Sequence, residues 1–449
     1  MKCIEDEIPF ELPEGWEWTR LQAICEPITD GTHKTPTYSD EGFIFLSSKN
    51  VTSGHIDWDN IMYIPESLHN ELYARLAPQK NDILLAKNGT TGVAAIVDRD
   101  CIFDIYVSLA LLRIIGYIIS PEYLLSTIAS STIQNYFNSS LKGIGVPNLH
   151  LEHIRTTLIP VAPINEQYRI ATKLEQLLSF ADNIESDKTD LQTTIQLTKS
   201  KILDLAIRGK LVPQNPDDEP ANVLLDRIRA EKEGLIKQGK IKRDKKESVI
   251  FKGDDNSYYE KIGDTVTCID EELPFELPDG WIWCRGSSCF LPMESRKPSG
   301  TYFKYIDIDS IDNKHQAIKK AKITETAKAP SRANRAVFDG SILFSLVRPY
   351  LKNIALVDSN NADSIVSTGF YIATSNGTFI PKYLYILMIS AYVVNGLNQF
   401  MKGDNSPSIS KDNIEKWLYP VPPLAEQEKI ADIVQKYIRI LEDIEKSLS

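Results

Sequence analysis

EQYRIATKLEQLLSFADNIESDKTDLQTTIQLTKSKILDL, from Glu166 to Leu205, is the stretch on which the fold turns. Ile170, Leu174, Leu177, Ala181, Ile184, Lys188, Leu191, Ile195, Thr198, Ile202 and Leu205 follow one another at steps of four and three, and only Lys188 and Thr198 are polar. That alternation is the heptad seam of a long helix. Pro163 suits its start, Glu166 brings negative charge to the first turn, and Gly209 suits its stop. Roughly 40 residues at ~1.5 Å per residue make a rod about 60 Å long, too long to hide its apolar stripe inside one small domain. The helix needs a partner helix.

The chain supplies a candidate. Leu158 to Gln167 reads LIPVAPINEQ, Leu418 to Gln427 reads LYPVPPLAEQ, and the seam returns as Ile430, Val434, Tyr437, Leu441, Ile444 and Leu448. One heptad run marks an ordinary packed helix; a run that recurs behind the same Pro-x-x-Glu-Gln marks a duplication. The beginnings of the halves repeat too. Cys3 to Trp18 is CIEDEIPFELPEGWEW and Cys268 to Trp283 is CIDEELPFELPDGWIW, with 11 of 16 positions identical. Each Pro-x-Gly-Trp-x-Trp ending is a turn delivering two indoles as core anchors.

Between these matched ends the halves differ in residues but share a pattern. The first alternates strand-like runs (Phe43 to Leu46, Ile83 to Ala86, Val93 to Val97, Val107 to Ile115) with Gly-containing turns, then predicts a helix from Pro121 to about Phe137. The second predicts strands near Tyr302 to Ile308, Ser341 to Leu346, Ile354 to Val357 and Gly369 to Ala373, then a helix from Pro381 to about Phe400. The expected division is a first recognition block over 1–163, a long helix over 164–208, a linker over 209–267, a second block over 268–423 and a C-terminal helix over 424–449. The linker holds an amphipathic helix from Asn222 to Gln238 and a basic, mobile run from Lys240 to Lys246, read as solvated surface.

At 449 residues, 42% hydrophobic and 25% charged, the chain fits a globular protein of two or three domains. No apolar window is long enough for a membrane span and the N-terminus is acidic, so the expectation is cytoplasmic. Six cysteines without a Cys-x-x-Cys pair read as free thiols. The net charge of −11 argues against a general polyanion binder. It is unevenly spread: Trp16 to Pro160 carries 10 basic and 15 acidic residues, Trp281 to Pro420 carries 17 and 11.

A search for chemistry comes back empty. There is no phosphate-binding Gly-rich loop and no Asn/Asp-Pro-Pro-aromatic methyltransferase loop. Asp217 and Asp244 fit a nuclease pattern only superficially, since they fall in a charged linker, and His150 and His153 lack a second ligand pair. What remains is a binding design: polar loops mounted on two rigid blocks. The candidate DNA contacts are Lys34, Thr35, Lys49, Asn50, Lys87, Asn88, Thr90, Thr91, Lys142 and Asn148 in the first block. In the second they are Arg296, Lys297, Arg332, Arg335, Arg348, Tyr350, Lys352, Lys402, Asn405, Ser406 and Ser408. Arg and Lys grip phosphate or read guanine, and Asn reads adenine. A coiled-coil scaffold binding protein partners is the alternative, favoured by the acidic first block.

Glu-Leu-Pro-x-Gly-Trp-x-Trp at both half starts, Pro-x-x-Glu-Gln before both seams, Leu205-Ala-Ile-Arg-Gly-Lys-Leu-Val-Pro213, and FDGSILFSLVRPYLK from Phe338 to Lys352 together resemble the specificity subunit of type I restriction-modification enzymes. The resemblance spans essentially the whole chain. It implies an α+β protein with two mixed α/β target recognition domains, separated by long helices that pair as an antiparallel coiled coil: Ile170, Leu174, Leu177, Ile184, Leu191 and Ile195 against the C-terminal seam. It further implies that the chain catalyses nothing and binds double-stranded DNA. Its implied partners are two methyltransferase subunits and ATP-driven restriction subunits, with S-adenosylmethionine, ATP and Mg held by those partners. In one respect the chain departs: its second helix has only about 26 residues, so pairing would cover part of the first and leave the rest to another subunit or to the Asn222–Gln238 helix.

Overall fold

The computed structural model describes residues 4–52, 54–141, 147–241 and 247–448. Three long helices are named here: α1 (Ile164–Ile207), α2 (Ala221–Lys237) and α3 (Leu424–Ser447). The chain divides into two compact units, Met1–Ser186 and Asp187–Ser449.

In the first unit, Cys25–Asp30, Leu109–Ile114, Ile83–Ala86 and Ala94–Ile96 form an antiparallel sheet in that order. Met62–Ile64, Phe43–Leu46 and Phe103–Ile105 form a second, the last pair running parallel. Ile83 to Ala86 and Leu109 to Leu112 are wholly buried, as continuous apolar runs require when both faces are covered. Residues of these strands join two cores, one completed by the helices Pro121–Ala129 and Ser131–Ser139.

The second unit repeats the plan. Its three-stranded sheet is Ile354–Leu356, Ile342–Ser345 and Phe370–Ala373. Its four-stranded sheet is Lys322–Glu325, Tyr302–Ile306, Ile365–Ser367 and Ala333–Ala336, again with one parallel pair.

The duplicated motifs acquire physical roles. Glu17–Arg20 pairs antiparallel with Leu158–Val161, and Ile282–Arg285 with Leu418–Val421, placing Trp18 opposite Pro160 and Trp283 opposite Pro420. Gly15 and Gly280 precede these indoles with φ of +85° and +80°, which a side chain would strain. Arg20 donates to the Thr156 carbonyl and to Glu7; Arg285 donates to the Lys416 carbonyl and to Glu272. Gln167 and Gln427 are fully buried, and each spends its whole amide tying the start of its helix to the neighbouring chain.

Three expectations need correction. The helices expected from Pro121 and Pro381 are each broken in two, because Ser130 and Ser390 take extended ψ of 148° and 150° and turn their hydroxyls to cap the next helix at Ile133 and Val393. The stretch read as linker holds, besides α2, an antiparallel sheet of Ser248–Lys252, Tyr258–Ile262 and Thr265–Cys268. Its Glu260 bonds Arg285 at 2.8 and 3.0 Å, clamping the sheet to the second repeat. Lys242 to Lys246 lies outside the described residues.

The helix seams are covered unevenly. In the second unit Ile195, Ile430 and Val434 are buried, and Lys199 and Gln196 meet Glu445 at 2.8 and 3.1 Å while Gln214 meets Glu426, so α1 and α3 run antiparallel. Ile170 packs on the first unit's core. Leu174, Leu177, Ile184, Leu191, Tyr437 and Ile444 are 38–52% exposed, and Leu441 and Leu448 are half-buried. Pairing over only part of α1 was expected, and in the second unit hydrogen bonds at Gln196 and Lys199 join α1 to α3.

Candidate nucleic-acid interface

In both units the loop after a buried strand is stitched to the loop before a short helix. In the first, Asn88 bridges Asn148 and the Leu149 N–H donates to the Lys87 carbonyl at 2.9 Å. In the second, Val347 bridges Ser408 and the Arg348 N–H donates to the Pro407 carbonyl at 2.8 Å. Thus Lys87 to Thr91 meets Asn148, and Arg348 to Lys352 meets Lys402 to Ser408.

The first unit's junction opens into a cleft of about 510 Å3 lined by His33, Lys87, Asn88, Asn148, His150 and His153 among others. Asn148 Oδ1 and Thr90 Oγ1 are shut from solvent without a hydrogen-bond partner. Thr91 Oγ1 leans on the Lys87 carbonyl at 3.4 Å, and Lys34, Thr35 and Lys49 stand exposed. Two expected surface donors are not on the surface. Asn50 is 5% exposed because its amide closes a capping box with Ser47 and donates to the Asp57 and Asn60 carbonyls. Lys87 is 5% exposed because it neutralises Asp30 beneath the loop. Asn50 and Lys87 thus brace the frame, and Lys87 also lines the cleft. Lys142 lies outside the described residues.

In the second unit Arg348 and Lys352 flank a single 3-10 turn with φ of +48° and +54°. Left-handed backbone at two side-chain-bearing residues is costly and marks a turn whose shape is fixed by its surroundings. Arg348 also donates to the Asn405 carbonyl at 2.8 Å. Tyr350, Lys352, Lys402, Asn405 and Ser406 are exposed and Ser408 is half-buried. Arg296, Lys297, Arg332 and Arg335 cluster separately, beside the four-stranded sheet.

Charge pairing sorts these residues. Lys304 and Lys322 are matched to Asp363 and Asp307. Among the described residues, Lys34, Lys49, Arg296, Lys297, Arg332, Arg335, Arg348, Lys352 and Lys402 have no carboxylate partner. Unpaired, accessible cations beside amide and hydroxyl groups are equipped to neutralise phosphates and reach base edges. Among the described residues no group of three or more His, Cys, Asp or Glu could hold a metal ion, and no helix is long and apolar enough to cross a membrane. Asp30, which lies beneath the first unit's junction, carries no sequence signal of its own; it is marked by its partner Lys87 in three dimensions.

A duplicated mixed α/β block, each copy opening on a Trp-bearing strand and closing on a Gln-anchored helix, with a long helix between them, defines a two-domain architecture. Residues 13–192 and 290–449 match the type I restriction modification DNA specificity domain, and the chain belongs to that family. It is 26% identical to the EcoAI type I restriction enzyme specificity subunit of Escherichia coli, across 97% of this chain and 79% of that one. It is 24% identical to the EcoEI specificity subunit of the same organism, across 100% and 82%. In fold it matches the HsdS subunit of Thermoanaerobacter tengcongensis, with TM-score 0.56, 19% identity and coverage of 98% and 94%. A chain from a structure described as the basis of complex assembly and conformational transition of the type I R-M system gives TM-score 0.60 at 18% identity, covering 98% and 94%.

Proposed function

We propose that this chain is the DNA-reading subunit of a type I restriction-modification complex, each recognition domain contacting one half of a split target. The observation that carries this reading is the repeated junction: two loops stitched together on the same frame in both units, with different side chains presented at each. One frame with two surfaces suits an asymmetric bipartite sequence. On this reading the chain catalyses nothing. Methyltransferase subunits, two in number, bind S-adenosylmethionine and methylate adenine at the sites it selects, and restriction subunits use ATP and Mg to cut unmodified DNA, all in the cytoplasm. The exposed stretch of α1 is where the methyltransferase subunits would dock. The five-part domain division belongs to the same proposal.

The test is a genome-wide map of N6-methyladenine in cells with the chain and its methyltransferase partner, against cells lacking only this chain. A split motif that vanishes with the chain is expected. Identical maps would overturn the reading and bring forward a scaffold that binds only proteins.

A further inference from the structure

His150 and His153 stand where the second repeat keeps a capping box. Leu149-His150-Leu151-Glu152-His153-Ile154 aligns with Ile409-Ser410-Lys411-Asp412-Asn413-Ile414, and the isoleucines that end the two segments are both fully buried. Ser410 accepts from the Asn413 N–H, and the Asn413 side chain accepts in return from the Ser410 N–H at 2.8 Å, which fastens the start of that short helix. His150 holds the same position with backbone that is likewise extended, yet its side chain makes no cap. The first unit has given up a stabilising pair of bonds on an unchanged frame, so local folding does not account for the two imidazoles.

Their surroundings give them another use. His150 is exposed and His153 half-buried, their rings lie 6.4 Å apart, and among the described residues neither ring has a hydrogen-bond or ion-pair partner. Both line the cleft of about 510 Å3 at the Asn88–Asn148 junction, and His33, its side chain 70% exposed, lines it too. The other charged groups in that lining are Asp30, Lys87 and Glu152, two carboxylates against one ammonium. Lys87 is spent on Asp30, and His33 leans on the same carboxylate at 3.3 Å. At the second unit's junction, by contrast, Arg348 and Lys402 are exposed and meet no carboxylate. Charge for a phosphate is therefore permanent at the second junction; among the described residues of the first cleft it can come only from imidazoles. Histidine is the side chain whose charge ordinarily changes between about pH 5 and 8.

Resting on the reading of the chain as a DNA-specificity subunit, we propose that His150 and His153 hold a backbone phosphate of the first half-site, so that the first domain grips DNA in a proton-dependent way and the second does not. An imidazolium donates from both ring nitrogens and sets positive charge beside the phosphate oxygens, whereas a neutral imidazole offers one donor and no charge. A phosphate contact positions the duplex without reading it. The two histidines therefore set affinity and leave the sequence of the half-site to other residues.

The experiment is binding of the complete methyltransferase complex to a duplex carrying its methylated motif, measured at about pH 6 and about pH 8 over a range of salt. Wild-type affinity is expected to be about five- to tenfold higher at the lower pH, with a salt dependence steeper by about one counterion. Combining His150→Gln with His153→Gln should flatten both differences. Combining His150→Arg with His153→Arg should keep binding tight at the higher pH, and the N6-methyladenine motif should be unchanged in both double variants. Arg348→Gln should weaken binding by the same factor at both pH values. A pH dependence that survives the Gln exchanges overturns the proposal. So do Arg exchanges that bind no better than the Gln ones, which would show a structural role only, and so does a changed motif, which would make the histidines base readers. A wild-type complex without a split motif, or one that binds the motif duplex no better than an unrelated duplex, instead defeats the DNA-specificity reading itself.

Discussion

Gln427 does in the second unit what Gln167 does in the first: its amide nitrogen donates to the Thr378 and Pro422 carbonyls, while its oxygen accepts from the Ile380 N–H at 2.9 Å. Gln167 makes the same three bonds to Ile118, Ala162 and Ser120. Removing a buried amide leaves its partners without replacements, at about 1–3 kcal/mol for each group. With three groups orphaned, Gln427→Ala should therefore lower stability by at least about 3 kcal/mol, read as the shift in denaturant midpoint, with little change in slope.

The buried Lys87–Asp30 pair makes a sharper case. Lys87→Met strands a carboxylate under the first unit's loop and should cost about 3–5 kcal/mol. Adding Asp30→Asn should recover part of that loss, since the two residues are in direct contact. Purely additive effects in a thermal-unfolding cycle would show that the pair is not coupled.

Glu260 gives a pH dependence with a definite sign. Burial pushes its carboxyl up, but hydrogen bonds from Arg285 and Ser248 outweigh that and hold it below the usual 4.5. A lowered folded value contributes stability that is present above pH 4.5 and disappears as pH falls through the folded value. Hydrogen-exchange protection factors across Ser248 to Cys268, corrected for the intrinsic pH dependence of exchange, should therefore fall in acid below that pH. In Glu260→Gln the protection should be weaker at neutral pH and nearly flat over the same range.

If α1 sets the distance between half-sites, deleting one heptad from Ile170 to Ile195 removes ~10 Å, about three base pairs. The methylated motif should keep both halves and change its spacer. An unchanged spacer would remove the helix from the role of ruler.

The exposed stripe on α1 predicts a separation of folding from assembly. Leu177→Lys and Ile184→Lys alter residues that are both 52% exposed, so the chain should unfold at its usual temperature within a degree or two. Co-purification with the methyltransferase subunit should fall at least tenfold. Undiminished assembly would place that partner elsewhere.

Much of the architecture was legible because it is written in period and repetition. The seam from Ile170 to Leu205 needs only spacing to be seen, and LIPVAPINEQ beside LYPVPPLAEQ needs only comparison. Local chemistry was harder. Ser130 and Ser390 look like tolerable helix residues, and only their side-chain caps reveal two helices where one was expected. The Ser248 to Cys268 sheet left readable traces, with the apolar run Val249-Ile250-Phe251 shortly before Asp254-Asp255-Asn256, but neighbouring charge drew attention away. Lys87 and Asn50 show why residue type does not establish a binding group: their burial depends on Asp30 and Ser47, which no spacing rule connects to them.

The second unit's main core gathers Ala206, Ile207 and Val212 from the end of α1 and just beyond, Leu225 from α2, and Ile430 and Val434 from α3. Residues emerging from the ribosome more than two hundred positions apart must therefore meet before that core can close. The first unit's main core runs only from Leu21 to Ala162, with Ile170 at its margin. Synthesis then imposes an order: the first half can fold while the second is still being made. The second half's core can close only once α3 has been made, a closure of high contact order.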